Sequence, residues 1–554
     1  MQLILDNFCK VILILMSDIK KFERPDGIIL YTDRDDKYRT TAVIPDGMTA
    51  VRPFAFKGND KLIKVYIPNS VTSIGDQAFL GCKSLESITI PKSVIKIGEA
   101  AFCGCSKLSH IDIPDGVIEI GEGAFANCTA LKEIVIPNSI TRIHSFTFNY
   151  CTSLRSVMIP NEVKEIGEKA FNDCKSLKYI YLPETLTIIE ESAFKNCRAL
   201  ESIRLPDNVT KIGKKAFCLC KSLTEIKIPP KISIIEADLF SSCDKLRTMS
   251  LPDIVTSIGG CAFAYCYKLK SIDIYPTTLA ALYDEDNHCK LNLSLIGKRA
   301  FEFCKEIEAV DFINSVTTLG DGAFRGCDSL LAFEEDSITS IGKQAFEDCK
   351  SLKRIILGDN LSSIGSSAFN RCLSLEFISF GGTIKEIPDY CFERCTSLNS
   401  FILPESVVSI GNRAFAGCSS LETLAIPEDV VEIGDYCFTG CKSLVSVRLP
   451  DKLKKIRFAV FMGCQALKQI NIPNYVELVD HCAFEDCDSL PELIFPPQTK
   501  VVDVRDYELY QKGDQYRYNN QERINYARET WDALTDGQYG DYPGGDIDYD
   551  SLGF

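Results

Sequence analysis

Hydrophobic residues recur along this chain with a fixed period, and one short pattern organises most of it. Residues 70–91 read SVTSIGDQAFLGCKSLESITIP, and close copies of this segment run from about residue 43 to residue 496. Its phenylalanine returns every 23 residues except at two intervals, at Phe56, Phe79, Phe102, Phe125, Phe148, Phe171, Phe194, Phe217, Phe240, Phe263, Phe301, Phe324, Phe346, Phe369, Phe392, Phe415, Phe438, Phe461 and Phe484. A period of this length is typical of a solenoid, in which each coil buries its apolar face by stacking on its neighbours. The pattern therefore predicts one elongated array of about nineteen coils.

Two short strands and a turn are predicted within each coil. Ile88 and Ile90 alternate with polar residues, which is the period of a strand with one buried face. Pro91 ends this first strand because proline has no N–H to donate to a sheet ladder. The segment from Val94 to Ile97 fits a second short strand. The Ala-Phe-x-x-Cys segment that follows is too short for a full helix, so we expect a short helical turn there.

Cysteine is unusually frequent in the repeats. The chain contains 26 cysteines, and eighteen of them stand three residues after the repeated phenylalanine. A disulfide framework is typical of short secreted chains, whereas these cysteines occupy the place where the repeat needs a small buried residue. We therefore interpret them as a ladder of core thiols. Zinc binding is the alternative, but no Cys-x-x-Cys pair is flanked by matching histidines. This density of thiols favours a reducing compartment.

The repeated residues Leu-x-x-Ile-x-Ile-Pro, followed by Ile-Gly-x-x-Ala-Phe-x-x-Cys, resemble the BspA-like subfamily of leucine-rich repeats. The resemblance covers about four fifths of the chain. It implies a leucine-rich-repeat solenoid with a parallel sheet on its concave face. Members of this family are largely binding proteins, and some are surface adhesins of bacteria and protozoan parasites. A fold alone does not identify a ligand.

Composition divides the chain into an array with an extension, a cap, an insertion and a tail. We assign residues 1–24 to an N-terminal extension, 25–50 to a capping hairpin, 51–274 to the first part of the array, 275–291 to an insertion, 292–496 to the second part of the array, and 497–554 to an acidic, tyrosine-rich tail. Charged residues interrupt the apolar start and no cleavage site follows, so it does not fit a secretory signal. Met16 is an alternative start of the protein.

The insertion lies between the two strands of one coil, and Thr278 to Tyr283 are predicted to form a short helix. Insertions in solenoids often lie on a binding face. The polar residues that follow are typical of a solvated loop; the alternative, a metal site, would use Asp284, Glu285, Asp286, His288 and Cys289. We predict no bound metal. The five repeats from this point onward lack the proline that follows the first strand in the other fourteen, so their strands are expected to turn or bend differently.

Catalytic and nucleic-acid-binding functions find no support in the sequence. The four histidines lie in no motif with a nucleophile, and no glycine-rich loop for phosphates is present, so we predict neither an enzyme nor a bound cofactor. The formal net charge of −15 disfavours nucleic acid and anionic membranes as partners. No segment is apolar enough over a sufficient length to insert into a membrane.

Candidate binding residues lie at the outward positions of the first strands, eight and ten residues after each phenylalanine. Met158, Tyr179, Tyr181 and Arg204 are expected to adjoin one another on neighbouring strands. Tyrosine and arginine dominate the energetics of many protein interfaces. The alternative is that tyrosine is there only because it favours strands. Similar positions carry a second, weaker group: Arg354, Ile356, Phe377 and Ile402.

The tail contains the chain's only tryptophan. Ile524, Ala527, Trp531 and Leu534 recur at helical spacing, so residues 521–534 are predicted to form one amphipathic helix. The residues after it show no such period and are expected to be disordered. Two interpretations stay open: the tail binds a partner through Trp531, or its helix caps the last coil.

Two classes of function are compatible with these features. The first is a non-enzymatic scaffold in the cytoplasm that binds a protein partner on the concave face, through the tail, or through both. The second is a secreted or surface-exposed adhesin of the BspA type, which binds host or extracellular-matrix proteins and requires export.

Overall fold

Each coil of the chain contributes up to two short strands, and the strands of successive coils pair in parallel. The computed structural model describes residues 19–23, 25, 28–33, 40–277, 293–310, 315–381 and 383–502. Strands are numbered in chain order. Three strands precede the array: β1 (Ile19–Glu23), β2 (Ile29–Asp33) and β3 (Thr40–Val43).

The first strand of each coil carries the alternating Ile-x-Ile pattern. These strands are β5 (Leu62–Tyr66), β7 (Ser87–Thr89), β9 (His110–Asp112), β11 (Glu133–Val135), β13 (Ser156–Met158), β15 (Tyr179–Tyr181), β18 (Glu225–Lys227), β20 (Thr248–Pro252), β22 (Ser271–Tyr275), β25 (Ala332–Glu335), β27 (Arg354–Leu357), β29 (Phe377–Phe380), β31 (Ser400–Ile402), β33 (Thr423–Ala425), β35 (Ser446–Arg448) and β37 (Gln469–Asn471). In each of them the residue nine positions after the phenylalanine points into the core, and the residues eight and ten positions after it point outward, so we call this surface the first-strand face.

The second strand of each coil is shorter. These strands are β4 (Ala50–Val51), β6 (Ser73–Ile74), β8 (Lys96–Ile97), β10 (Glu119–Ile120), β12 (Arg142–Ile143), β14 (Glu165–Ile166), β16 (Ile188–Ile189), β17 (Lys211–Ile212), β19 (Ile234–Ile235), β21 (Ser257–Ile258), β23 (Leu295–Ile296), β24 (Thr318–Leu319), β26 (Ser340–Ile341), β28 (Ser363–Ile364), β30 (Glu386–Ile387), β32 (Ser409–Ile410), β34 (Glu432–Ile433), β36 (Lys455–Ile456), β38 (Leu478–Asp480) and β39 (Lys500–Val502). The second residue of each of these strands is buried except in β39, where Val501 is exposed, so the coils close on the same core.

An antiparallel sheet begins the array. β2 pairs with both β1 and β3 in antiparallel orientation. β3 then pairs in parallel with β5, the first strand of the first coil. The chain thus changes from antiparallel to parallel pairing at β3, and the first coil is covered by hydrogen-bonded backbone rather than left open.

A continuous stack of phenylalanine rings forms the centre of the core. The rings of successive coils lie 5.1–5.7 Å apart between centroids and are nearly parallel. Phe79, Cys82, Leu85 and Val94 are fully buried in their coil. The stack passes the insertion without a gap, because Phe263 and Phe301 are 5.1 Å apart. The solenoid of about nineteen coils predicted from the period is therefore confirmed.

The turn that carries the phenylalanine is not helical, and the predicted short helical turn is wrong in this respect. Gln77 and Gly81, on either side of Phe79, have φ values of 53° and 74°. Residues in this left-handed region interrupt a right-handed helix. The segment instead pairs with the next coil: Phe79 N donates to Ala101 O at 2.8 Å, and Gly81 N donates to Cys103 O at 2.7 Å. Within the described residues the chain forms no helix, and each coil has a third line of inter-coil hydrogen bonds.

Four of the five repeats without proline after the first strand have longer first strands. β7, which is followed by Pro91, ends at the tenth residue after the phenylalanine. β25, β27 and β29 reach the eleventh, and β22 reaches the twelfth at Tyr275. Proline cannot donate to a ladder, so its absence lets pairing continue. β20 is an exception because it includes Pro252.

Three coils lack a first strand in the part of the chain that the structure describes. Residues 201–205, 307–310 and 490–495 lie where the repeat predicts one, but they do not form strands. The apolar residues of the first segment still point inward, and Ile203 and Leu205 are buried. The alternation of buried and exposed side chains is therefore kept at residues 201–205, although the backbone there does not pair with a neighbouring strand.

Candidate protein-binding face

An exposed apolar row crosses three neighbouring strands of the first-strand face. Val135 pairs with Met158, and Met158 pairs with Tyr181, in the parallel register of β11, β13 and β15. Their exposed fractions are 78%, 73% and 60%. Side chains directly opposite each other on paired strands are near neighbours. These three residues therefore form one continuous apolar surface, which we call the Val135 row.

Tyr179 lies on the same strand as Tyr181 and is held by polar contacts. Its hydroxyl donates to Glu201 Oε2 at 3.3 Å. Lys178 Nζ lies 5.2 Å from the centre of the Tyr179 ring and 3.2 Å from Glu201 Oε1. Hydrogen bonds with Tyr179 and then with Glu201 raise the pKa of Lys178 above its usual value. Tyr179 is 52% exposed, so these contacts orient the ring and leave most of one side open to a partner.

Arg204 is exposed and pairs with an acidic residue of the preceding coil. Its guanidinium donates to Glu184, and this contact raises the pKa of Arg204. Arg204 occupies the repeat position that continues the line of Met158 and Tyr181, ten residues after a phenylalanine. The segment around it forms no strand, however. The strand register that joins Met158 to Tyr181 therefore does not extend to Arg204, and only the repeat position connects it with the Val135 row.

The second predicted group is less compact. Arg354 and Phe377 are in register on β27 and β29, and the guanidinium carbon of Arg354 lies 5.6 Å from the centre of the Phe377 ring. Ile356 is half-buried, and its partner in the register is Ser379 rather than an apolar residue. Ile402 is exposed on β31. A serine thus separates the two isoleucines, and no apolar row forms.

Sequence reasoning did not include Val135, Lys178, Glu184 or Glu201 among the candidate residues. Val135 was detectable, since it lies ten residues after Phe125 and the period aligns it with Met158 and Tyr181. Lys178, Glu184 and Glu201 could not be detected from the sequence, because their contacts depend on the conformations of long side chains. Trp531 lies outside the described residues, as do the insertion's predicted helix and its acidic cluster.

The repeat cysteines are placed as the pattern predicts. Each of the eighteen donates its thiol to the carbonyl oxygen of the phenylalanine in the preceding coil, at 3.1–3.3 Å between sulfur and oxygen. Burial raises the pKa of Cys151, for example, to about 12. Only a thiolate is an effective nucleophile or metal ligand. The ladder thiols therefore act as packing groups and weak donors.

One group of donor atoms in the described residues has a geometry that a metal ion would accept. Asp480, His481 and Cys482 bring one ligand atom each within 4.8 Å of the others. Asp480 Oδ1 already accepts a hydrogen bond from the backbone N of Cys482 at 2.9 Å, as an aspartate does in a tight turn. We assign no metal to this turn.

A scan against family models matches most of the array. The model of the BspA-type leucine-rich repeat region matches residues 49–178, 141–270, 285–399 and 385–511. The chain belongs to the BspA-type leucine-rich repeat family. The resemblance drawn from the repeated residues is thereby confirmed, together with the leucine-rich-repeat fold. Leucine-rich-repeat proteins of this type are compatible with a role in protein interaction, and the match specifies no partner.

Solved structures of leucine-rich repeat proteins are similar to the chain. A leucine-rich cell surface protein from Faecalibacterium prausnitzii A2-165 is 27% identical, with 61% of this chain and 94% of that chain covered and a TM-score of 0.39. A leucine-rich repeat protein from Bacteroides ovatus ATCC 8483 is 24% identical, with 88% and 98% covered and a TM-score of 0.39. The family assignment depends on the repeat match and not on these low scores. None of the curated proteins matches the chain.

No helix among the described residues has the length and hydrophobicity needed to cross a bilayer.

Proposed function

We propose that this chain is a non-enzymatic scaffold that binds a protein partner on its first-strand face, at the Val135 row together with Tyr179 and Arg204. The observation that carries the proposal is the Val135 row. Val135, Met158 and Tyr181 lie side by side on paired strands, and each of these side chains is more than half exposed to solvent. Contiguous apolar side chains on a soluble surface are typical of interaction sites. The tail with Trp531 is a second candidate site for the same function.

The neighbours of the Val135 row favour binding over a purely structural role. Tyrosine and arginine are enriched among the residues that dominate binding energy. Tyr179 is already oriented by Lys178 and Glu201, so a partner would not have to immobilise a free ring. Arg204 is exposed and paired with Glu184, so its guanidinium is accessible to a partner. A partner with an apolar contact surface is the occupant that these residues fit.

For location we propose the cytoplasm, because seventeen of the eighteen ladder thiols are buried and none of the eighteen forms a disulfide, and such a density of thiols fits a reducing compartment. The alternative is a secreted or cell-surface adhesin. Cell fractionation with an antibody against the array distinguishes the two, since an adhesin would be found in the surface or culture fraction.

The proposed site is tested by pull-down from native lysate with full-length variants. Tyr179→Ser and Tyr181→Ser should each weaken capture of the partner by ~2 kcal/mol or more and leave folding nearly unchanged, because neither ring fills the core. Tyr475→Ser is the matched control, since Tyr475 is also exposed but lies outside the Val135 row. A variant truncated after residue 502, which keeps β39 complete, tests the tail.

The outcomes separate the two candidate sites. Partners lost only with the tyrosine variants support the first-strand face, and partners lost only with the truncation support Trp531. If both kinds of variant retain every partner, the site assignment is wrong.

A further inference from the structure

The last coil leaves an open cleft on the first-strand face. Residues 490–495 do not pair with β37, and Ile470 of β37 is only half-buried, whereas the equivalent Val447 of the preceding coil is buried. A cleft of about 680 Å³ lies between them. Ile470, Leu490 and Leu493 provide its apolar lining. Lys468 and Arg448 lie at its exposed rim, and Arg448 also pairs with Glu428 at 3.1 Å. We call this the terminal cleft.

Other apolar side chains at this end of the array are also insufficiently covered. Phe484, Cys487, Leu490 and Phe495 are only partly buried, although the same repeat positions are fully buried in the middle of the array. In a solenoid the terminal coil has no following neighbour, so its core face needs a polar cap or another cover.

The residues that follow the last coil match the terminal cleft in charge and in apolar pattern. Residues 503–554 carry twelve acidic and five basic residues, which complements the basic rim formed by Arg448 and Lys468. Residues 521–534 place Ile524, Ala527, Trp531 and Leu534 at helical spacing, as one apolar face requires. The eighteen residues between Val502 and residue 521 span up to ~60 Å when extended, whereas neighbouring coils are ~4.8 Å apart. This linker is therefore long enough to let residues 521–534 reach the terminal cleft.

We propose that residues 521–534 dock in the terminal cleft of the same chain, with Trp531 as the apolar anchor. The cleft offers apolar lining to the ring, and its basic rim attracts the acidic tail. Because the segment is tethered to β39, docking is intramolecular and takes place at a high effective concentration. One covering segment also accounts for the exposed apolar residues of the last coil. This inference does not depend on the proposed binding at the Val135 row.

The test uses the full-length protein, in which Trp531 is the only tryptophan. Its fluorescence and its quenching by acrylamide report directly on whether the ring is covered. We expect Trp531 to be several-fold less accessible to quencher in the native protein than in urea. Lys468→Glu, which reverses the charge at the rim, and Leu493→Ser, which removes apolar lining, should each raise the quenching several-fold towards the value in urea.

The matched control is Lys353→Glu, because Lys353 occupies the same repeat position as Lys468 and is also exposed, but lies five coils away. It should leave the quenching unchanged. The proposal is overturned if Trp531 is as accessible in the native protein as in urea, or if Lys353→Glu and Lys468→Glu have the same effect. It is also overturned if shielding of Trp531 depends on protein concentration and sedimentation shows a dimer, since a second copy would then fill the cleft. No partner is needed for these measurements, so a failed pull-down has no bearing on them.

Discussion

At the scale of single residues, two side chains in each coil hold the array together. The phenylalanine ring packs between the rings of the coils before and after it, and the cysteine thiol three residues later donates to a phenylalanine carbonyl. Because each residue contacts only adjacent coils, the effect of a substitution should be local.

Replacing Phe171 by Ala tests this locality. The ring is fully buried and lies 5.3 Å from that of Phe148 and 5.5 Å from that of Phe194. We expect the loss of ~3–5 kcal/mol of stability, from lost burial and the cavity that remains. Hydrogen exchange should show increased exchange first in the coils next to Phe171. Uniform deprotection from the first coil to the last would contradict the solenoid.

The cysteine ladder predicts a loss of stability at alkaline pH. Burial raises the pKa of Cys82 and of Cys151 from about 9 to about 12. Between these two values the unfolded chain releases thiol protons that the folded chain keeps. Stability should therefore be fully present below pH 9 and should fall as the pH rises towards 12, by up to ~1.4 kcal/mol per pH unit for each thiol.

Urea unfolding from pH 8 to pH 11 measures this effect. Lysine and tyrosine also titrate in this range, so the informative comparison is between the native sequence and Cys151→Ala. The variant should lose stability with pH less steeply, by the contribution of one proton. Identical slopes in the two proteins would show that the ladder thiols are not responsible.

The identity of the core residues was predictable, whereas most contacts of the candidate site were not. A strict period reveals Phe79 and Cys82 as buried because every coil repeats the same burial. Met158 and Tyr181 were placed outward by strand alternation, and they are exposed. The stacking of Lys178 on Tyr179 could not be predicted, since a long flexible side chain has many conformations and sequence spacing selects none of them.

At the scale of elements, the turn around each phenylalanine is the part of the coil that differs from expectation. Its short length correctly excluded a full helix. The Ala-Phe-x-x-Cys pattern carries no signal for left-handed residues, because non-glycine residues such as Gln77 adopt that conformation here. The favourable pairing of this segment with the next coil compensates for the local strain of such residues.

Gly440 offers a test of that conformation. Its φ is 72°, and a Cβ atom added there would lie 3.8 Å or more from the nearest neighbours, so space is not limiting. Gly440→Ala should cost about 1 kcal/mol through the left-handed backbone alone. Gly116→Ala is the control, because Gly116 has no left-handed φ and an added Cβ makes ordinary contacts. Equal urea midpoints for the two variants would contradict this account.

The missing strand at residues 201–205 also lies at this scale. Its sequence has the same alternation as its neighbours, so a strand was expected beneath Arg204. Alternation determines which side chains are buried, whereas pairing depends on the distance between the backbones of adjacent coils. The sequence could therefore predict that Arg204 points outward, but not that the ladder ends at β15.

At the scale of the whole molecule, the array is a series of similar contacts between neighbours. No cross-link between distant coils is needed to hold it together, because hydrogen bonds and ring stacking join each coil to the next. The period made this architecture predictable from the sequence, since a coil that cannot bury its own apolar residues must stack.

Reductant should have little effect on the stability of the array. The eighteen ladder cysteines form no disulfide, and their thiols already donate to carbonyl oxygens. We expect the same thermal transition with and without dithiothreitol. A large fall in melting temperature on reduction would instead indicate disulfides and an extracellular location.

The uninterrupted ring contact between Phe263 and Phe301 has a consequence for how such proteins change over generations. The interval between these residues is 15 longer than the usual 23, yet the next coil stacks as if nothing had been added. Duplication of one coil lengthens the array, and an insertion between the two strands of a coil adds residues to it. Neither change alters the stacking of the existing phenylalanine rings. The number of coils and the inserted segments can therefore change independently of each other. The site between Tyr275 and Leu293 is also a suitable place to graft a foreign loop.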